Sequence, residues 1–180
     1  MIALKGESIM AKNIILIGFM GVGKGSVARA IVEETGMVAL DTDDVIESME
    51  NRRIKSIFEE EGEAYFRKLE QRVAAWLEAD VKHTLISTGG GFFKVKNLKK
   101  IGTVVLLHTD FDTIHRRIIE HPNAEKKLRK RPLFKDETSA RALYDERERA
   151  YREVADVVID VGGKSVEKIA KEIVKKVIKK

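Results

Sequence analysis

The apolar positions along the chain change period several times, and each change marks an element. Asn13 to Ile17 is a nearly continuous apolar run ending at Gly18, which is how a strand buried on both faces of a parallel sheet reads. Val27, Ile31 and Val32, with Ala28 and Ala30, then share a helical stripe up to Gly36, a suitable C-cap. Met37 to Leu40 returns to strand character before the acidic turn Asp41 to Asp44, closing one βαβ unit. The stretch from Val45 to Asp80 reads as mostly helical with an interruption near Gly62, Thr84 to Ser87 as strand, and Gly89 to Gly91 as a tight loop. Val104 to Leu107 is a further buried strand, Phe111 to Ile119 a helix, Ser139 to Tyr151 a long polar helix and Val157 to Ile159 a last strand. Val166, Ile169, Ile173 and Val177, flanked by Ala170, Val174 and Ile178, line a closing amphipathic helix.

Five strands alternating with helices predict an α/β fold, with a parallel sheet covered on both faces and ligands held at the carboxyl ends of the strands. The chemistry is therefore expected in loops that follow strands. A length of 180 residues suits one compact domain, expected over 13–180. Residues 1–12 show no clear periodicity and contain a second Met at position 10, so they read as an N-terminal tail or an alternative start.

Composition narrows the function classes. The formal net charge is +5, but the segment from Lys164 to Lys180 carries seven lysines against Glu167 and Glu172, which accounts for all of it. The pI of 9.3 thus reflects one terminal helix rather than a basic docking surface, and nucleic acid is not an expected partner. With no cysteine, disulfides, Cys-ligated zinc and thiol catalysis are excluded. No apolar run reaches the ~20 residues that span a bilayer. The first residues lack the order of a secretory signal, so a cytoplasmic protein without membrane contact is expected. Charged residues at 35%, against an ordinary value near 25%, lean toward a heat-tolerant source.

Gly18-Phe19-Met20-Gly21-Val22-Gly23-Lys24 fits the first seven positions of the phosphate-binding P-loop pattern and lies where its mechanism requires, between a buried strand and a helix. Glycines let backbone N–H groups converge on phosphate, the helix N-terminus adds a favourable dipole, and Lys24 supplies a cation to the β and γ phosphates. Gly21, Val22, Gly23, Lys24, Gly25 and Ser26 are the expected nucleotide-binding residues, against the alternative of a glycine-rich turn that only joins two elements. Gly25 stands where the pattern has a Ser or Thr that ligates Mg²⁺, and Ser26 follows it. Gly-Lys-Gly followed by a hydroxyl residue resembles the loop of adenylate kinases.

Asp41 and Asp43 put two carboxylates at i and i+2 at a strand end, so both can point into one cleft. One could hold a metal-bound water while the other orients or deprotonates an attacking hydroxyl. The competing reading is a helix N-cap, with Asp43 or Asp44 opening the helix at Val45.

Further motifs decide between them. Gly62-Glu63-Ala64-Tyr65-Phe66-Arg67-Lys68-Leu69-Glu70, the triplet Gly89-Gly90-Gly91, Arg131-Pro132-Leu133 and the late Glu146-Arg147 ahead of Tyr151 follow the P-loop and Asp41-Thr42-Asp43 in order. The set resembles shikimate kinase over roughly residues 13–178, a P-loop kinase fold with a mobile lid. The resemblance implies Mg²⁺- and ATP-dependent phosphorylation of the shikimate 3-hydroxyl. It makes Asp41 the Mg²⁺-side acid acting through water and Asp43 the residue that bonds and activates the hydroxyl. Arg67, Gly90 and Arg147 match shikimate-binding positions; Arg147 is preferred to Arg149 because it lies four residues before Tyr151. Guanidinium forks suit a carboxylate and an Asp suits hydroxyls. Taken singly, Arg67 reads as a surface partner of Glu70 and Arg147 as a solvated helix charge; in this family pattern, Glu70 would hold one of the arginines. Ser87, at a strand end, matches a residue that orders metal-bound water, and Ser26 is the other candidate near the metal.

Lys126, Lys127, Arg129, Lys130, Arg131 and Lys135 against Glu125 make a basic segment, expected to be a lid over about 120–138 that brings Arg131 onto the transferring phosphoryl group. Arg117, in preference to Arg116, is the expected contact to the nucleotide. Lys24, Asp43 and Arg131 are thus the expected catalytic residues and a monomer the default state. A nucleoside monophosphate or gluconate kinase on the same fold, and a nucleotide-binding regulator without turnover, are the competing functions.

Overall fold

The structure, a computed structural model, describes residues 12–125 and 136–178. Arg131 and most of the expected lid, together with the tail up to residue 11, lie outside the described residues.

Five strands form one parallel sheet: β1 (Asn13–Ile17), β2 (Val38–Asp41), β3 (Thr84–Ser87), β4 (Gly102–His108) and β5 (Val157–Asp160), in spatial order β2-β3-β1-β4-β5. All five residues of β1 are buried, as a central strand covered on both faces must be. The helices are α1 (Lys24–Thr35), α2 (Thr42–Glu50), α3 (Ile54–Asp80), α4 (Leu98–Ile101), α5 (Phe111–Ile119), α6 (Glu137–Val154) and α7 (Val166–Ile173), the last continued by a π turn over Val174–Ile178. A continuous apolar core runs from Ile15 and Leu16 through Leu85, Ile86, Leu106 and Leu107 to Ile31, Leu77 and Ile173.

At the lower end of the sheet, buried Asn13 joins three segments with its amide: Nδ2 donates to the carbonyls of Val81 (2.7 Å) and Ile101 (3.0 Å), and Oδ1 accepts from the Thr84 N–H (3.0 Å). A polar residue opening an apolar strand is thereby fully satisfied.

Two departures from the sequence reading matter for function. The helix expected from Val45 starts at Thr42, directly at the end of β2, and its N-cap is Asp41, whose Oδ1 accepts from the Asp43 N–H at 2.9 Å. Asp43 and Asp44 are first-turn residues rather than caps. The stretch to Asp80 is also broken earlier than Gly62, at Asn51, which adopts left-handed φ/ψ and donates its N–H to the Glu47 carbonyl, a C-cap that asparagine tolerates. Gly62 itself (φ 79°, ψ 176°) kinks α3 as expected and turns its second part, carrying Arg67 and Glu70, toward the strand ends.

Candidate active site

Three loops leave the carboxyl ends of adjacent strands: residues 18–23 after β1, the start of α2 after β2, and residues 88–91 after β3. They place the phosphate loop, the Asp41–Asp43 pair and the glycine triplet side by side.

Gly18, Gly21 and Gly23 have φ of 141°, 86° and 109°. Gly23 is the N-cap of α1, and no side chain caps that helix. The Ser26 and Val27 N–H groups bond the Gly23 carbonyl, so α1 begins at the loop itself, the position at which a helix N-terminus accepts an anion. Lys24 Nζ donates to the carbonyls of Gly18 (2.7 Å) and Phe19 (3.2 Å), folded back over the loop. These residues fit the phosphates of a nucleoside triphosphate. Arg117 Nη2 donates to the Val161 carbonyl at 2.8 Å, which places its guanidinium at the end of β5.

The metal candidates divide. Asp41 Oδ2 accepts from Ser87 Oγ at 2.7 Å, so this acid and hydroxyl, from neighbouring strands, form one unit. Ser26 is on the exposed side of α1, with Oγ accepting from Arg29 Nη2 at 3.3 Å. Gly25 offers no side-chain ligand. The Asp41–Ser87 pair suits a cation held through water, and the loop contributes no direct hydroxyl ligand from position 25.

The glycine triplet organises the remaining residues. A Cβ on Gly89 would sit 2.5 Å from Asp43 Oδ1, one on Gly90 would sit 3.2 Å from Arg147 Nη1, and one on Gly91 would collide with the Arg67 guanidinium. Three successive residues of one loop therefore each back one of Asp43, Arg147 and Arg67, and a Cβ at Gly89 or Gly91 would force its partner to shift. Arg147 Nη1 (3.1 Å) and Tyr151 Oη (2.6 Å) both donate to the Gly90 carbonyl. Arg67 Nη1 donates to Glu70 Oε2 at 2.5 Å, and its Nη2 and Nε donate to Glu63 Oε1 at 2.7 and 3.0 Å.

Among the described residues, three buried side-chain polar atoms have no hydrogen-bond partner: Asp43 Oδ1, Glu70 Oε1 and Arg147 Nε. Buried polar atoms are nearly always paired, so such a cluster calls for a ligand or water. Burial pushes the Asp43 carboxyl up to about 7, helped by repulsion from Asp41 and Glu70 and opposed by Lys24. Burial likewise raises Glu70, against the pull of Arg67 and Arg147.

The arrangement brings together Lys24, Asp41, Asp43, Arg67, Ser87, Gly90 and Arg147, and leaves Ser26 at its margin. The sequence reading passed over the part played by Tyr151, used there only as a spacing marker. It lies one helical turn after Arg147 and on the same face, a spacing that would have revealed their shared acceptor. It read Gly89 and Gly91 only as parts of a tight loop.

Because Gly91 has φ −107° and ψ −8°, alanine fits its backbone and the substitution acts only through Arg67. On the expectation that Arg67 contacts the phosphoryl acceptor, Gly91→Ala should raise KM for that acceptor by about 10-fold, the scale of one hydrogen bond to a charged group, and leave KM for the phosphate donor unchanged; steady-state kinetics with each substrate varied checks it.

Known proteins are similar to this chain over most of its length. A family model described as shikimate kinase matches residues 20–178. A shikimate kinase of Helicobacter hepaticus is 39% identical over 163 residues, covering 91% of this chain and 94% of the relative. One from Lactococcus lactis subsp. cremoris is 42% identical over 166 residues, covering 89% and 95%. Among solved structures, shikimate kinase from Acinetobacter baumannii in complex with shikimate superposes with a TM-score of 0.80 at 32% identity, covering 94% of both chains.

Proposed function

The chain belongs to the shikimate kinase family, and from that membership we infer that it transfers the γ-phosphoryl group of ATP to the 3-hydroxyl of shikimate, giving shikimate 3-phosphate and ADP. The observation that carries the assignment of residues is the glycine triplet, whose three members each back one of Asp43, Arg147 and Arg67. Two guanidinium groups on one side and a carboxyl on the other match an acceptor with a carboxylate and several hydroxyls. An uncharged acceptor would leave Arg147 Nε unpaired; gluconate and nucleoside monophosphates are anions as well, so the assay below is what separates them from shikimate.

The loop amides and Lys24 hold the β and γ phosphates and spread the charge that develops there. Asp43 accepts a hydrogen bond from the attacking hydroxyl and takes its proton as the bond to phosphorus forms. Arg67 and Arg147 fix the acceptor so that this hydroxyl faces the phosphate, and Glu70 and Glu63 hold Arg67 in place. Arg117 borders the nucleotide; Arg131, expected to act on the transferring group, lies outside the described residues. Mg²⁺ neutralises phosphate charge when bound, with Asp41 and Ser87 holding it through water and Ser26 left beside the loop. The protein acts as a monomer of one domain in the cytoplasm, with small molecules rather than nucleic acid as its partners; among the described residues no helix is long and apolar enough to cross a membrane.

A coupled assay for ADP with ATP and Mg²⁺ against shikimate, AMP and gluconate tests the reading: turnover with shikimate is expected, and turnover with AMP or gluconate alone would overturn it. Because proton acceptance requires ionised Asp43, and its carboxyl sits at about 7, kcat/KM for shikimate should climb with unit slope below that pH and level off above it. A flat profile from about pH 6 to 8 would remove Asp43 as the base.

A further inference from the structure

Gly25 sits in the first turn of α1, directly after Lys24, where the general loop pattern places a metal-ligating hydroxyl. Nothing in the packing forces the glycine: a Cβ there would meet no heavy atom nearer than Arg29 Nη1, at 3.8 Å. The neighbour across this space is thus a guanidinium. Side chains on a helix lean toward its N-terminus, so Arg29, one turn further on, lies back over Gly25. Its Nη2 donates to Ser26 Oγ.

Two features set Arg29 apart from an ordinary solvated helix cation. Glu33 lies four residues on, at pairing distance for a helix, yet among the described residues Arg29 forms no ion pair with it or with any other acid. The guanidinium instead reaches back to Gly25 and Ser26, in the first turn of α1, toward the positive end of the helix dipole. A second cation at that end is unfavourable unless an anion is to be met there.

We propose that Arg29 binds the nucleotide phosphates across the space opened by Gly25, taking over charge that a directly ligated metal would supply, so that this kinase binds ATP with an affinity that depends little on Mg²⁺. The proposal rests on the phosphate-loop reading given above. It concerns binding, and the transfer step still draws on the metal.

Calorimetric titration of ATP into the full-length protein, once with Mg²⁺ and once with EDTA, tests it. For the wild type the two dissociation constants should agree within about 3-fold. Arg29→Ala should weaken metal-free binding by about 10-fold, the loss expected for a charge-assisted contact, and weaken Mg²⁺-ATP binding less, with Arg29→Lys restoring part of it. Gly25→Ser, which the open space accommodates, should restore a metal ligand and widen the gap between the two conditions by about 10-fold. A wild type that binds ATP at least about 10-fold more tightly with Mg²⁺, or an unchanged metal-free affinity in Arg29→Ala, would sink the proposal. Absence of ATP binding under both conditions would instead overturn the phosphate-loop reading itself.

Discussion

Replacement of Asp43 by Asn is expected to lower kcat with shikimate by about 10²- to 10⁴-fold, the range for loss of a positioned general base, with ATP affinity unchanged. The side chain keeps its shape and its place against Gly89, so any loss reports on the proton-accepting oxygen rather than on packing. A second readout separates this from a structural effect. The folded protein holds the Asp43 carboxyl at about 7, above its ordinary 3.8. Ionisation is therefore resisted in the native state, and stability is lost as pH rises from near 4 through 7. The Asn variant carries no such penalty, so it should melt above the wild type at pH 8 and together with it at pH 4. A variant that is slow and also less stable at pH 8 would mean that Asp43 serves the fold. The expected pattern, slow but more stable, is that of a residue kept at a thermodynamic disadvantage for its chemistry.

Arg147→Ala should have the next largest effect, raising KM for shikimate by about 30-fold or more, since removing one partner of a buried charged contact commonly costs 2–5 kcal/mol. Arg147 is 8% exposed, its Nε is unpaired, and it reaches the pocket across the Gly90 carbonyl. Loss of the guanidinium removes the proposed partner of the acceptor's carboxylate and also leaves Glu70 with less neighbouring positive charge, because Arg147 helps to hold that carboxyl down. Arg147→Lys is expected to recover only a small part of the loss, because an ammonium cannot make the two-pronged contact. Kinetics with shikimate varied at saturating ATP distinguishes the outcomes; an unaltered KM in both variants would place the acceptor's carboxylate elsewhere.

Much of this architecture could be read from the sequence because its signals are local. A nearly continuous apolar run at Asn13–Ile17 reads as buried on both faces, and a glycine-rich loop followed by a helical stripe has one common use. The strand–helix boundary at Asp41 could not be read the same way. No loop residues intervene, and the same side chain ends the strand, caps the helix and bonds Ser87, a partner 46 positions away. Asn51 is a second case, since one asparagine in left-handed conformation ends α2 without the glycine or proline that usually announces a helix end. The pocket itself followed from ordered motifs, while the pairing of each glycine with one side chain depends on tertiary geometry. Arg29 was invisible for a related reason: an arginine among helical charges carries no mark in the sequence, and only its direction, back over Gly25, distinguishes it.

The order β2-β3-β1-β4-β5 also bears on how the protein is made. β1 leaves the ribosome first among the strands, but both of its neighbours come later, and Asn13 first meets the strand beside it 71 residues downstream, at Thr84. At ordinary translation speeds of about 5–20 residues per second, Ile14 to Ile17 wait roughly 4 to 14 s without a strand beside them. During that interval the segment that becomes the most deeply buried part of the sheet is its greatest aggregation hazard, and slower elongation before residue 84 should lower the yield of folded enzyme.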